Sequence, residues 1–447
     1  MSEAVEQTAA APGTPIDPAE RRRVQRRTVL VLSTATVLAG FATGASLSVG
    51  ALVLAELSGN DAISGLASAV FNGGAAIAGI PLARIAARRG RRSALVAGSA
   101  VAVAGAVVAI LSAAIGSWPL FALGVAMLGV SSAVSLLARF AATDLALPEN
   151  RARDLSFVVW SITVGAVVGP NLIGPGEAVG LGLGIPPLAG VFVFALAAQL
   201  LAALVNWIGL RPDPLLVSRL LPPETGSVAT PARPAETAAV AASRTPGRDR
   251  DPAPPAPPSG PGARWLAILA IAMAQAIMVA LMAMTPLHLM HHEGTPEIVG
   301  VTLSLHIAGM YALSPVFGTL ASRLGRVPVI SLGWVMLLAS VAIAYAAGPS
   351  HLLVQLSLTL LGLGWSAVTV AGAALLTELT PSAERPRWQG RSDTIMSAAG
   401  AVAGALSGVA FALGDFSFLA LLAGGLLALG AAASIPLGSR ARGARSR

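Results

Sequence analysis

Two pairs of residues have the types and spacing to hold a soft ligand. Met278 and Met282 lie four apart, and so do His306 and Met310. Residues at i and i+4 share one face of a helix, so each pair would present two donors one turn apart. Thioether and imidazole suit a soft monovalent metal ion such as copper, and an uncharged donor set favours release over permanent capture. The surrounding stretch is rich in the same residue types. Met273, Met278, Met282, Met284 and Met290 make up half of the chain's 10 Met, and His288, His291 and His292 crowd its end. Gln275 falls on the face of Met278 and Met282, and Tyr311 adjoins Met310. Packing is the competing account: Met fills irregular gaps between helices, and a buried His can be a hydrogen-bonded core residue or a proton carrier. The outer His291 and His292 could collect metal or simply be solvated.

The elements that position these residues belong to a bilayer. The chain is 55% hydrophobic and 11% charged, where a soluble domain carries about 25% charged residues. All 29 cationic side chains are Arg. A net charge of +8 raises nucleic acid as a partner, but the Arg residues cluster in short turns between apolar runs, which argues against it. With no Cys there is no disulfide and no thiolate metal site. The polar, partly acidic first 20 residues do not read as a secretory signal.

A membrane helix needs about 20 apolar residues. Such runs fall at 28–56, 62–87, 93–116, 118–141, 155–176 and 186–210, then at 264–288, 297–321, 327–347, 351–378, 391–413 and 416–436. The expected fold is therefore an all-α polytopic membrane protein with 12 transmembrane helices in two six-helix bundles, 28–210 and 264–436. Between them, 211–263 is dense in Pro, Ala, Ser and Thr and reads as a disordered tether. Tails of 1–27 and 437–447 complete the chain.

Orientation follows from the turns. Arg21–Arg27, Arg88–Arg92, Arg151 and Arg153, Arg323 and Arg326, Arg385–Arg391 and Arg440–Arg447 all fall at one end of the bundle. The alternate turns, from Ser58–Asp61 to Gly414–Asp415, hold no Arg. The positive-inside rule puts both termini and the tether in the cytoplasm of a cell with these spans in its inner (plasma) membrane. Counted from outer boundaries near His288 and Glu297, Met278 and His306 are about 13–15 Å deep. That is near the middle of a hydrocarbon core about 30 Å thick.

The halves repeat one another. Arg88-Arg89-Gly90-Arg91-Arg92 follows span 2, and Gly318-Thr-Leu-Ala-Ser322-Arg323-Leu-Gly325-Arg326 follows span 8. Spans 4 and 10 end in Thr143-Asp144-Leu145 and Thr377-Glu378-Leu379. The turns resemble the major facilitator superfamily motif Gly-x-Leu-Ala-Asp-Arg-x-Gly-Arg-Lys, matched at Gly318, Leu320, Ala321, Arg323, Gly325 and Arg326. Both depart at the Asp, which is Ala87 in one copy and Ser322 in the other. In that family the Asp helps latch the halves, so the resemblance implies a gating turn with a weaker charge latch. Gly165, Gly169, Pro170 and Gly174 in span 5 resemble the superfamily's Gly-x-x-x-Gly-Pro-x-x-Gly-Gly pattern. Physically, such glycines let helices approach closely and Pro170 breaks the backbone ladder. Gly400, Gly404 and Gly408 in span 11 form a further close-packing face.

The Met and His pairs on spans 7 and 8 resemble the CcoA-type copper importers of that superfamily. The resemblance implies Met278 and His306 as central ligands with Met282 and Met310 as partners. The same branch includes carriers of riboflavin, so the resemblance leaves the substrate open. The expected function is a secondary transporter working by alternating access. Its substrate is either copper or an organic solute, the latter by a riboflavin-like importer or a drug–proton antiporter. It is expected as a monomer without cofactor. Spans lacking a mid-depth carboxylate count against the antiporter. Arg139, near the end of span 4, either pairs with Asp144 or meets an anionic substrate. A membrane sensor is disfavoured by the lack of a signalling domain. An enzyme is not expected: there is no phosphate loop and no nucleophile–base set.

Overall fold

The computed structural model describes residues 17–147, 150–219, 261–381 and 384–445. Asp17 caps the first helix, accepting from the Ala19 amide at 3.2 Å, and Pro18 occupies its first turn. This helix, α1 (Pro18–Ser58), starts ten residues before the expected span. Arg21 to Arg27 are therefore helical and not part of a loose tail. At 41 residues α1 is about 60 Å long, so it projects beyond the bilayer.

The first half continues as α2 (Asp61–Ser64), α3 (Leu66–Arg89), α4 (Arg91–Ala114), α5 (Trp118–Ala141), α6 (Arg151–Val168), α7 (Ile173–Leu183) and α8 (Val191–Gly209). A 3₁₀ turn at Gly169–Leu172 joins α6 to α7, because Pro170 has no amide for the helical ladder. After α9 (Pro214–Ser218) the second half comprises α10 (Pro261–His291), α11 (Pro296–Tyr311), α12 (Ser314–Leu324), α13 (Arg326–Ala346), α14 (His351–Glu378) and α15 (Arg385–Arg445).

Eleven helical stretches among the described residues are long and apolar enough to cross a membrane. The last of them, Arg387–Pro436, has 50 residues, about 75 Å of helix against a core of about 30 Å. It breaks at Gly414 (φ −167°, ψ 31°) and Asp415 (φ 60°, ψ −169°), which leaves two crossing arms. Among the described residues this makes twelve stretches long and apolar enough to cross, six before residues 220–260 and six after.

The expected tether is shorter at both ends than its composition suggests. Residues 220–260 lie outside the described residues, but α9 and the start of α10 are helical. Asp213 holds the near end in place. Its Oδ1 accepts from the amides of Leu215 and Leu216, and its Oδ2 accepts from the Arg92 amide at 2.8 Å. One carboxylate thus caps α9 and α4 together. Gly90 (φ +90°) makes room for it, since a Cβ there would overlap the Asp213 carboxyl. Arg219 then donates to the Ala87 carbonyl at 2.8 Å.

The largest buried cluster runs through both halves, from Phe121 and Phe192 to Trp334 and Phe416. The seam between the halves is tight at the arginine-free end. Gly65 lies against the backbone of Gly404 and Gly408, where no Cβ would fit. Ser64 Oγ donates to Met284 Sδ at 3.4 Å, and His291 Nε2 lies 3.5 Å from Asp61 Oδ2. Asn171 donates to Ser304 Oγ at 2.7 Å, and Ser304 donates to the Val167 carbonyl at 2.6 Å.

Candidate transport site

Three helices of the second half bring polar side chains to the same depth. Gln275 lies 14 residues into α10, and Trp365 lies 14 residues into α14. Tyr311 ends α11, where the chain turns into α12 halfway along its crossing. Each is about 20 Å along from the start of its helix. Trp365 Nε1 donates to Gln275 Oε1 at 2.8 Å, in a buried bond. The Tyr311 and Trp365 rings meet edge to face at 5.9 Å. Gln275 Nε2 lies beside Gly400 of α15, which has no side chain to exclude it.

Arg139, in the last turn of α5, reaches across to the other half. It does not pair with Asp144, one of the two expectations. Its Nη2 meets Asp393 Oδ2 of α15 at 2.8 Å. Asp144 is taken by Arg91, through Nε–Oδ2 at 2.8 Å and Nη2–Oδ1 at 3.1 Å. Burial pushes the Asp144 carboxyl up from its ordinary value, and the Arg91 guanidinium works against that rise. In the second half Arg326 Nη2 meets Glu378 Oε1 at 2.5 Å. The two repeats thus make the same bond: the Arg after Gly90 or Gly325 ties to the acid closing the helix two crossings later.

The turns around these bonds differ in detail. Gly90 and Gly325 both adopt positive φ (90° and 100°), a backbone conformation that favours glycine. Arg326 also donates to the Ala321 carbonyl. At the positions of the missing Asp, Ser322 bonds its own helix at Thr319, and Ala87 receives Arg219. Arg88 and Arg323 are exposed. Gly318 faces open space apart from one contact with Val370 at 3.9 Å.

The span 5 glycines divide into two kinds. A Cβ at Gly165 would overlap the Val37 carbonyl, and one at Gly169 would meet the Phe41 carbonyl at 2.5 Å. From the facing side, Gly40 and Gly44 of α1 meet Ile162 and Ala166. The α1–α6 contact is therefore a four-glycine interface, of which the motif contains two. Gly174 has no such role; its Cβ would make one ordinary contact, 3.5 Å from Glu297.

The Met and His pairs are all buried. His306 Nδ1 donates to the Leu358 carbonyl of α14 at 2.8 Å, which leaves Nε2 as a buried lone pair without a partner among the described residues. Gly309 and the Met310 amide also lie against α14, at Thr359 and Gly362. The opposite face of α11, with Gly300 and Ser304, meets the first half. The His306–Met310 face is thus turned to α14. Met278 and Met282 share the Gln275 face of α10, which packs on α14 and α15. His288, at the arginine-free end, stacks on Phe416 at 4.5 Å, and its Nε2 bonds the Gly348 carbonyl. Among the described residues no group of three or more His, Asp or Glu forms a metal cage.

Trp365 and Asp393 are the functional candidates that residue spacing misses. Trp normally sits at the membrane interface. A Trp in the middle of a span, between Gly364 and Ser366, has an indole N–H that must find a partner, and that was its signal. Asp393 reads in the sequence as one of several acids near helix ends, and its partner lies 254 positions away.

Membrane-length helices in close contact at one end, around a buried polar and aromatic cluster, have the build of a membrane transporter. The chain belongs to the Major Facilitator Superfamily, whose family profile matches residues 32–294 and 264–446. It is 36% identical over 424 residues to YdeG of Bacillus subtilis, described as an uncharacterised MFS-type transporter, covering 95% of this chain and 94% of the relative. It is 28% identical over 378 residues to the riboflavin transporter RfnT of Brucella anthropi, covering 83% and 85%. The fold is similar to that of an auto-inhibited POT family peptide transporter, with a TM-score of 0.63 at 16% identity, covering 93% of this chain and 97% of that one.

Proposed function

We propose that this transporter carries an organic solute with a planar aromatic ring system, of the riboflavin kind, by alternating access. The observation that carries this is the Gln275–Trp365–Tyr311 cluster at mid-depth. Trp365 and Tyr311 supply ring faces and edges for a planar solute. Gln275 supplies an amide that could trade its indole bond for a polar edge of the solute. Arg139 and Asp393 form a charged pair between opposite halves, toward the arginine-rich end from the cluster. The likeness to a riboflavin transporter points to the same class. In this reading 28–210 and 264–436 are the rocking units, and the closed seam belongs to a state sealed on the arginine-free side. The arginine-rich end faces the cytoplasm, with both termini, in the plasma membrane. One chain contains the whole path and works as a monomer.

One observation favours copper as a second reading. The buried, unpartnered His306 Nε2 is a free soft donor. Met278, Met282 and Met310 are the thioethers available to it.

Uptake of radiolabelled riboflavin and copper by the same cells separates the two. Trp365→Ala and Gln275→Ala should each lower riboflavin uptake by about tenfold, the scale of one lost hydrogen bond or ring contact, at unchanged protein level. Unchanged riboflavin uptake by both variants sinks the organic-solute reading. Copper uptake that depends on His306 and Met278 establishes the second.

A further inference from the structure

We infer that the arginine-rich end carries a binding site for an anionic phospholipid, in the cleft between the start of α1 and the start of α6. The cleft has a volume of about 600 Å³. Its polar wall includes Arg22 and Arg26 of α1 and Arg153 of α6. Its apolar wall includes Leu30 of α1 and Phe157 of α6, which are 53% and 49% exposed.

The charge balance of the cleft is positive. The Asp154 carboxylate is buried and spent: it accepts from Gln25 at 2.7 Å and from Arg153 at 3.3 Å. Arg22 and Arg26 lie four apart on one face, both exposed, and neither has a carboxylate partner among the described residues. Two guanidiniums one turn apart match the oxygens of a phosphodiester, and Arg153, which holds Asp154 through Nε and Nη2, has its Nη1 left to add from across the cleft.

The apolar wall decides which phosphate. From Arg26 to Leu30 is about one further turn along α1, about 6 Å toward the bilayer. The cleft therefore changes from cationic to apolar over the depth at which a lipid changes from headgroup to acyl chain. A free phosphate or an acidic peptide would use the arginines and leave Leu30 and Phe157 bare. A phospholipid uses both walls, with the headgroup at Arg22, Arg26 and Arg153 and a chain along Leu30 and Phe157.

Lipid binding by the purified full-length chain, followed by native mass spectrometry, tests this. The titrants are phosphatidylglycerol, phosphatidylcholine and soluble glycerol phosphate. Phosphatidylglycerol should bind at least about fivefold more tightly than phosphatidylcholine, and excess glycerol phosphate should not displace it. R22Q/R26Q should abolish the preference, while R23Q/R27Q, which removes the same charge from the neighbouring face, should retain it. Equal loss in both double variants, no preference in the wild type, or displacement by glycerol phosphate would overturn the proposal. Equal melting temperatures of the two variants in detergent verify that the comparison is between folded proteins.

Discussion

Arg139 and Asp393 meet at 2.8 Å although they belong to different halves of the molecule. Both are partly solvated, with side chains 27% and 35% exposed, so the pair contributes no more than about 1 kcal/mol to stability. Its leverage is on the equilibrium between states. In the proposed alternating-access cycle, a contact between the halves is made in one state and broken in another. Asp393→Asn should leave the melting temperature nearly unchanged while altering the transport rate several-fold. The exchange R139D/D393R should recover part of that change in a proteoliposome assay. Wild-type rates in both single variants would remove the pair from the cycle.

The two repeat-related pairs should differ in weight. The Arg91 and Asp144 side chains are 16% and 11% exposed, whereas those of Arg326 and Glu378 are 25% and 49%. Arg91→Ala leaves a buried carboxylate without its cation, at about 1.5–3 kcal/mol. Asp144→Asn removes the buried charge itself and should be milder. Glu378→Gln should cost less than about 1 kcal/mol. Thermal melts in detergent would give the order.

The glycines of span 5 allow a direct comparison. Gly165→Ala drives a methyl into the Val37 carbonyl of α1 and should destabilise by about 1–3 kcal/mol. Gly174→Ala meets only the end of Glu297 and should be within about 0.5 kcal/mol of wild type. Equal effects would contradict the α1–α6 contact described above.

Asp213 predicts a different readout. Asp213→Ala uncaps α4 and α9 together, at about 1–2 kcal/mol. Freed from its cap, the segment carrying Arg219 should be cut by trypsin earlier than in wild type, with the rest of the chain unchanged. Cleavage at the wild-type rate would show that the Arg219 bond to Ala87 suffices to hold it.

His306→Ala removes the donor from the Leu358 carbonyl and opens a cavity in the α11–α14 contact, at about 2–4 kcal/mol. His306→Asn, which retains a donor at short reach, should recover part of this. If stability falls while copper and riboflavin uptake per folded molecule stay constant, His306 is a packing residue.

The membrane crossings were legible because a bilayer demands long apolar runs, and the arginines between them mark one end whatever the packing. The repeat was legible because Gly90 and Gly325 must adopt positive φ, which keeps the turn residues recognisable. The start of the first helix was not, since Arg21 to Arg27 are too polar to count as a span yet continue α1 beyond it. Nor was the role of 211–219, because a single Asp in a Pro-rich stretch does not show what it caps.

The site divides in the same way. Position along the chain singled out Gln275 on the face of Met278 and Met282, Tyr311 beside Met310, and Arg139 near the end of its span. Periodicity placed Met278 with Met282 and His306 with Met310, because helical spacing depends on nothing outside the helix. What each face looks at is a property of helix rotation, and rotation is set by neighbours that come from distant parts of the chain. Only the packing of α14 against α10 and α11 turned His306 to Leu358 and brought Trp365 to Gln275. Only the meeting of the halves gave Arg139 to Asp393 in place of the nearer Asp144, which Arg91 had already engaged.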